Sequence, residues 1–174
     1  MWFVEDFRRY EYWKSLVAEL DCVFTIQSGE VEGAMREAGA RNVVYLPAAA
    51  NPRIHNANGV TQDQLKRFGA EVSFVGAGYR NRVEFFQRHP IEGLRVWGND
   101  WPANASVHRE EDGRRLSAEE TALVYRATEI NLNLHSTANG APLSKGNFVN
   151  PRTFEIAACG GFQICDTQTP LADL

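Results

Sequence analysis

The chain has 174 residues, a mass of 19.5 kDa and a formal net charge of −4, with 44% hydrophobic and 23% charged residues. This length corresponds to one domain, or to one domain with part of a second, and it is sufficient to bury a core. The composition excludes a disordered tail, a collagen-like repeat and a coiled coil. The acidic pI of about 5.6 argues against a non-specific nucleic-acid binder, whereas a local basic patch can still bind a small anion.

The cysteines and the N-terminus favour a cytoplasmic protein. The chain has an odd number of cysteines, namely Cys22, Cys159 and Cys165, and no two of them have C-x-x-C spacing. This pattern is typical of a protein in a reducing compartment. The first residues carry neither a basic segment nor a long apolar run, so we predict no signal peptide. The sequence also lacks the apolar run of roughly 18 residues that a membrane span needs, so we expect no transmembrane segment.

Residues 1–70 alternate between helical and strand-like patterns before they become turn-rich. The predicted segments are, in chain order, a helix at 8–20, a strand at 21–27, a helix at 31–38, a strand at 42–46 and a linker or long crossover at 47–70 that contains a short helix, Thr61–Phe68. In the first helix, one side carries the apolar residues Tyr12, Trp13, Leu16 and Leu20. We therefore expect an α/β arrangement from the start of the chain.

The alternation continues through the rest of the chain. The predicted segments are a strand at 72–75, a helix at 80–88, a strand at 94–97, a polar loop at 99–115, a helix from Ser117, a strand at 129–134, a helix from Asn150 and a strand at 162–165. Ser117 and Glu120 form a capping box, and Asn150-Pro151 is an N-cap followed by a first-turn proline. Strands that alternate with helices predict an α/β fold with parallel sheets covered on both faces.

Ligands bind beyond the carboxyl ends of the strands in such a sheet, and the first candidate site follows the strand 72–75. Gly76 and Gly78 allow the backbone to approach a ligand, and Arg80 and Arg82 can bind phosphate. The segment is not a dinucleotide fingerprint, because Asn81 stands where that motif has its third glycine. The alternative interpretation is a tight strand-to-helix turn with two solvated arginines.

The second candidate is the helix that begins at Asn150, whose first N–H groups favour an anion. Arg152 and Glu155 are three residues apart and share a face. One side chain can therefore bind a phosphate while the other accepts hydrogen bonds from vicinal sugar hydroxyls. The alternative is an intrahelical Arg–Glu pair with no ligand.

The third candidate is His135, which follows the strand 129–134 and is either a ligand contact or an ordinary loop residue. Glu5 and Asp6 are acidic candidates for an acceptor side, with a solvated turn as the alternative. The sequence has no Asp-x-Asp motif, and its histidines do not have the spacing of metal ligands. It also has no G-x-S-x-G motif, which would mark a hydrolase serine. The sequence therefore predicts no metal, and Cys159 and Cys165 are interpreted as buried small residues.

The segment FVNPRTFEIAACGGF, residues 148–162, resembles the nucleotide-sugar signature of two-domain (GT-B) glycosyltransferases, in the form carried by the CgeB-like, spore-maturation-type family. Four further segments resemble that family in the same order, namely Trp2–Arg8, Tyr45–Ala49, Ser73–Tyr79 and Asn131–His135. The resemblance covers nearly the whole chain.

The resemblance implies two Rossmann-like lobes, of which the C-terminal one, similar to that of group 1 glycosyltransferases, holds a nucleoside-diphosphate sugar. In that lobe Glu155 would bind the ribose hydroxyls, and Arg152 and the amides of its helix would hold the diphosphate. The nucleotide-sugar-binding residues that the resemblance implies are Gly76, Gly78, Arg80, Arg82, His135, Asn150, Arg152, Thr153 and Glu155. The donor sugar would pass to an acceptor hydroxyl on a saccharide, protein or lipid, with no metal and no further cofactor. The resemblance assigns no catalytic residue.

Two features depart from the family pattern. Asn147 stands where the broader signature has the first of two acidic residues, eight positions before Glu155. Two complete lobes would also need about twice this length. We therefore expect residues 1–58 to be the C-terminal part of an N-terminal, acceptor-side lobe plus a linker. Residues 59–174 would be the C-terminal nucleotide-sugar-binding lobe, truncated at its end. The alternatives are a non-catalytic nucleotide-sugar or phosphate-binding Rossmann-like module, and a doubly wound signalling or interaction domain.

Overall fold

A computed structural model of the chain describes residues 1–3, 11–136 and 147–173. The predicted candidates Glu5 and Asp6 lie outside the described residues. Residue contacts divide the chain into two compact units, which we describe separately. The first unit comprises Met1–Ala48, Lys145–Pro151 and Thr167–Leu174, and the second comprises Ala49–Ser144 and Arg152–Asp166.

The first unit contains a parallel three-stranded sheet in the order β1-β2-β3. Its elements are β1 (Trp2–Phe3), α1 (Trp13–Leu16) with a 3₁₀ turn (Val17–Glu19), β2 (Val23–Thr25), α2 (Glu30–Glu37) and β3 (Val43–Tyr45), with a second 3₁₀ turn at Thr169–Asp173. The predicted strands and the helix after β2 are therefore present. Gly39 follows α2 with φ of +99°, a conformation that favours glycine.

The apolar side predicted for the first helix is only partly right, because Trp13 is buried and Leu20 packs on the core, whereas Tyr12 and Leu16 are exposed. Tyr12 is 53% exposed and Leu16 is 46% exposed, whereas Trp13 and Val17 are buried in the core of this unit. Tyr12 and Leu16 are four residues apart, as are Trp13 and Val17, so each pair shares one helical face, and the core packs on the face that carries Trp13 and Val17. Trp13 and Val17 instead pack against Val23, Val31 and Met35.

The second unit contains a parallel four-stranded sheet in the order β5-β4-β6-β7. Its elements are α3 (Gln62–Phe68), β4 (Ala70–Val75), α4 (Arg80–Arg88), β5 (Leu94–Trp97), α5 (Ala118–Ala127), β6 (Thr128–Asn133), α6 (Pro151–Ala158) and β7 (Gln163–Cys165). These elements confirm the predicted α/β class with Rossmann-like parallel sheets. The strand order reverses between β4 and β6, because β5 lies on one side of β4 and β6 on the other.

Aromatic packing fixes the end of β4. Phe74 is fully buried, and its ring lies 5.4 Å from that of Phe86 in α4 and 5.9 Å from that of Trp101, both edge-on. Asn131 and Asn133, which share one face of β6, are buried too. Asn131 accepts a hydrogen bond from the Ser73 hydroxyl at 3.0 Å and so links β6 to β4. Both faces of β6 are therefore covered, as expected for a central parallel strand.

None of the helices in the described ranges is long and apolar enough to cross a lipid bilayer.

The predicted capping box at the start of α5 is present and has a measurable consequence. Ser117 and Glu120 bond reciprocally, and Arg114 lies 2.6 and 2.8 Å from the two Glu120 carboxylate oxygens. The bonds from Arg114 and the Ser117 amide lower the pKa of Glu120 to about 2. A carboxyl group whose pKa is lower in the folded state stabilises the fold above its unfolded pKa, and this contribution is lost as the pH falls towards the folded value.

We expect Glu120→Gln to lower the free energy of unfolding near neutral pH. The deficit relative to the unmodified chain should shrink as the pH falls from about 4 towards 2. Urea unfolding of both proteins over this pH range measures the difference. A deficit that stays constant down to the lowest pH would show that the Glu120 charge does not stabilise the fold.

Candidate functional site

The carboxyl ends of β4 and β6 are adjacent where the strand order reverses, which is the place where open α/β sheets bind ligands. β4 runs into the turn that holds Gly76 and Gly78, and β6 runs into Leu134 and His135. α6 contributes Arg152 to the same place, because its guanidinium bonds to the end of β6. The fold thus brings residues from all three predicted candidates together.

The glycine turn is held by the neighbouring loop. The Gly76 N–H donates to the Trp97 carbonyl at 2.8 Å, and the Gly78 N–H donates to the Asn99 carbonyl at 2.9 Å. A Cβ on Gly78 would lie 2.6 Å from the Trp101 Cα, so glycine is required there by backbone packing. The structure therefore gives Gly78 a packing role in addition to any ligand contact.

Gly76 faces the arginine of α6. A Cβ at Gly76 would lie 3.2 Å from Nη2 of Arg152 and 3.0 Å from the Phe74 ring. The missing side chain therefore leaves room for the guanidinium at the end of β4.

Arg82 is buried and ties the glycine turn to the end of β6. Its Nε and Nη2 donate to the Leu134 carbonyl at 3.2 and 2.8 Å, and its Nη1 donates to the Ala77 carbonyl at 3.0 Å. The guanidinium also lies 5.2 Å from the ring centroids of Phe74 and Tyr79. Arg82 thus links two backbone segments by hydrogen bonds, and few of its N–H groups remain to bind a ligand.

Arg152 shares one of these acceptors. Its Nη1 donates to Asn133 Oδ1 at 3.2 Å and to the Leu134 carbonyl at 3.3 Å, and its guanidinium lies 5.3 Å from the Phe74 ring. Arg152 is only partly buried, so it stays within reach of solvent. Two guanidiniums therefore converge on the Leu134 carbonyl from different helices.

The two guanidiniums place two positive charges close together. Burial, and secondly the nearby Arg152 charge, lower the pKa of Arg82 to about 9. Within the described ranges neither Arg82 nor Arg152 forms an ion pair with a carboxylate. Such a pair of cations favours a bound anion, and phosphate oxygens match guanidinium geometry.

Arg80 lies outside this group. Its side chain is 85% exposed, and its Nε donates to Glu84 Oε1 at 2.8 Å. The hydrogen bond from Arg80 lowers the pKa of Glu84. Arg80 is therefore a solvated arginine, as in the alternative interpretation of the glycine turn, whereas Arg82 is not.

His135 is almost completely buried and is held by a carboxylate that the sequence interpretation missed. Its Nδ1 lies 2.8 Å from Asp166 Oδ1, and its backbone N–H donates to the same oxygen at 3.0 Å. Asn81 Nδ2 donates to the His135 carbonyl at 3.0 Å. Asp166 directly follows β7, so a carboxylate at a predicted strand end was the available signal. Asp166 fixes the ring orientation of His135.

Ligand atoms of His135, Cys165 and Asp166 all lie within 4.8 Å of one another. A divalent cation is nevertheless disfavoured here, because Asp166 interacts electrostatically with Arg82, and Cys165 with Arg152. Burial and Asp166 also raise the pKa of Cys165 to about 11, so the thiolate that a metal needs is not favoured. This cluster therefore carries no metal assignment.

Thr153 and Asn150 have different surroundings. Asn133 Nδ2 donates to Thr153 Oγ1 at 2.9 Å, and Gln163 Nε2 donates to the Thr153 carbonyl at 2.8 Å. Thr153 thus helps to dock α6 on the sheet. Asn150 directly precedes Pro151, the first residue of α6, as predicted, and by its contacts it belongs to the first unit.

Glu155 lies one turn after Arg152, and its side chain is 23% exposed. Within the part of the chain that the structure describes, Arg152 and Glu155 form no ion pair with each other, so the intrahelical alternative is not what the structure contains. Oε1 of Glu155 instead lies 3.9 Å from Nε2 of His55, a buried residue of the segment between β3 and α3. No sequence motif marked His55.

Two comparisons with known proteins show the family of the chain. A family model described as glycosyl transferase-like matches residues 64–174, which is more than half of the chain. The spore protein CgeB of Bacillus subtilis (strain 168) is 25% identical over 180 residues, which cover 95% of this chain and 55% of CgeB. The chain thus spans about half the length of the curated relative that it matches. Both matches confirm the resemblance to CgeB-like proteins: the chain belongs to the glycosyl transferase-like family.

Proposed function

We propose that this chain binds a nucleoside-diphosphate sugar and takes part in the transfer of its sugar to an acceptor hydroxyl. The observation that carries the proposal is the convergence of Arg82 and Arg152 on the Leu134 carbonyl, where the strand order reverses. Membership of the glycosyl transferase-like family supports a role in glycosyl transfer.

Arg152 is the residue we assign to the diphosphate. Arg82 is committed to two backbone carbonyls through three of its nitrogens, whereas Arg152 is less buried and lies beside the side-chain-free Gly76. The first N–H groups of α6 add a favourable dipole for an anion. Arg82 attracts the diphosphate through its charge, without a direct hydrogen bond to it. A bound diphosphate also offsets the repulsion between the two guanidiniums.

Glu155 is the residue we assign to the ribose. A carboxylate accepts two hydrogen bonds at once, which matches the vicinal hydroxyls of a ribose. Glu155 is partly exposed, follows Arg152 by one helical turn and does not pair with it. Arg152 and Glu155 can therefore hold the diphosphate and the nucleoside from the same helix.

The reaction exchanges one bond to the anomeric carbon for another. The bond from this carbon to the β-phosphate oxygen breaks, and the nucleoside diphosphate leaves with the electron pair of that bond. The acceptor oxygen bonds to the carbon and releases its proton to solvent. Fixed positive charge at Arg82 and Arg152 stabilises the negative charge that develops on the leaving group, without a metal. The proposed acceptor is a hydroxyl of a saccharide or of a protein- or lipid-linked glycan.

A second candidate, a non-catalytic nucleotide-sugar-binding module, is favoured by one observation. Asn147 takes the place of the first acidic residue of the broader signature, and its Oδ1 accepts a hydrogen bond from Gln27 Nε2 at 3.0 Å. At the position where the signature has an acidic residue, the Asn147 side chain therefore forms a hydrogen bond within the protein.

Release of nucleoside diphosphate distinguishes the two candidates. The chain is incubated with UDP- and GDP-sugars, with and without oligosaccharide acceptors, and free UDP or GDP is quantified. An enzyme releases nucleoside diphosphate above the rate of an Arg152→Ala control. Binding of the donor without any release supports the module and contradicts the transferase.

A further inference from the structure

His55 has an interaction that determines where its ring proton lies. The Asn51 backbone N–H donates to Nδ1 of His55 at 3.1 Å. A backbone amide can only donate, so Nδ1 presents its lone pair and the neutral ring carries its proton on Nε2. The proton-bearing nitrogen is therefore the one that lies 3.9 Å from Glu155 Oε1.

The backbone around His55 is fixed by its own hydrogen bonds. The His55 N–H donates to the Asn51 carbonyl at 2.7 Å, and Nη1 of Arg126 in α5 donates to the Asn56 carbonyl at 3.2 Å and to Asn56 Oδ1 at 3.0 Å. Ile54 packs on the core beneath α5 and α6. The ring is thus presented to Glu155 by a well-anchored turn, and its side chain is only 8% exposed.

We infer that His55 is a positioning residue for the Glu155 carboxylate. Its Nε2–H directs Oε1, which leaves the carboxylate oriented towards the ribose hydroxyls. The separation of 3.9 Å is longer than a hydrogen bond, and such contacts commonly shorten when ligand binds. This inference rests on the proposed function, since it concerns the residue assigned there to the ribose.

Two substitutions separate the two nitrogens of the ring. The amide oxygen of an asparagine takes the place of Nδ1, so His55→Asn keeps an acceptor for the Asn51 amide and lacks a donor to Glu155. The amide nitrogen of a glutamine takes the place of Nε2, so His55→Gln keeps the donor. Ribose contact is read by comparing the affinities for UDP and 2′-deoxy-UDP, with GDP and 2′-deoxy-GDP tested in parallel.

We expect His55→Asn to lower the preference for the ribonucleotide by about 3- to 10-fold, the scale of one hydrogen bond. His55→Gln should retain most of the preference, and 2′-deoxynucleotide affinity should change by less than about 2-fold in either variant. In a Glu155→Gln background, His55→Asn should have no further effect on the preference, because the two residues act on the same contact. Thermal unfolding of each variant confirms that it is folded.

The outcomes separate the positioning role of His55 from the proposed binding of a nucleoside-diphosphate sugar. If His55→Asn weakens ribo- and deoxynucleotides equally, or His55→Gln fails to restore the preference, His55 is merely structural. If Glu155→Gln leaves the preference unchanged, the ribose assignment fails and the inference fails with it. If the unmodified chain binds neither UDP nor GDP, the proposed function itself is overturned.

Discussion

Replacing Arg152 by alanine is expected to weaken nucleoside-diphosphate binding by about 10- to 100-fold, the scale of a lost charge-assisted hydrogen bond. The physical reason is that Arg152 is the more exposed of two guanidiniums that, among the described residues, form no ion pair. Its removal also ends the repulsion with Arg82, so folding should suffer little. Isothermal titration calorimetry with UDP and GDP measures the affinity, and urea unfolding measures the stability.

Arg80→Ala is the matched control for this experiment. Both substitutions remove one positive charge, so both weaken long-range attraction of an anion equally. Arg80 is bonded to Glu84 on the exposed side of α4, and its loss should change the affinity by less than about 2-fold. Equal losses in Arg80→Ala and Arg152→Ala would contradict a specific diphosphate contact at Arg152.

Replacing Gly78 by alanine is expected to lower the free energy of unfolding by about 2 to 3 kcal/mol, the typical cost of overpacking a rigid site. The added Cβ would lie 2.6 Å from the Trp101 Cα and 2.7 Å from the Asp100 carbonyl oxygen. Both are backbone atoms that cannot move without shifting the loop that holds the glycine turn. Urea unfolding measures the loss.

Gly33→Ala in α2 provides a control of opposite sign. A Cβ there meets nothing within 4 Å, and alanine favours a helix over glycine by roughly 0.5 to 1 kcal/mol, so this variant should be more stable. If Gly78→Ala is as stable as the unmodified chain but loses affinity for UDP and GDP, the turn is a ligand cradle and the packing explanation is wrong.

Local patterns were sufficient to predict most elements. The segments predicted at residues 80–88 and 94–97 coincide with α4 and β5, because strand and helix periods differ clearly there. The helix start at Ser117 also coincides, because a capping box satisfies specific backbone groups. The first helix was mispredicted at Tyr12 and Leu16, because apolar residues stand on two neighbouring faces, Tyr12 with Leu16 and Trp13 with Val17, and the pattern alone does not select the buried one.

The choice between Arg80 and Arg82 was open in the sequence, although a signal existed. Arg80 is four residues before Glu84, and Arg82 is four residues before Phe86. Residues four apart share a helix face, so Arg80 lies on the charged face and Arg82 on the face that packs in the core. The structure has this arrangement, with Arg80 exposed and Arg82 buried.

Asp166 stands at a predicted strand end, but neither its contact with His135 nor the contact between His55 and Glu155 could be found from local pattern. Asp166 reaches His135 only because β6 and β7 pair in parallel with Asn133 opposite Cys165. His55 reaches Glu155 because a turn of irregular backbone packs between α5 and α6. Both contacts join residues that are far apart in the chain, and their formation depends on packing that no periodicity encodes.

Calorimetric titration of the unmodified chain with UDP and GDP tests the central claim most directly. We predict saturable binding of at least one of the two nucleotides with a stoichiometry of one, weakened in Arg152→Ala and in Glu155→Gln and retained in Arg80→Ala. A folded chain that produces no binding heat with either nucleotide at millimolar concentration would contradict the assignment of a nucleotide-sugar site to the ends of β4 and β6.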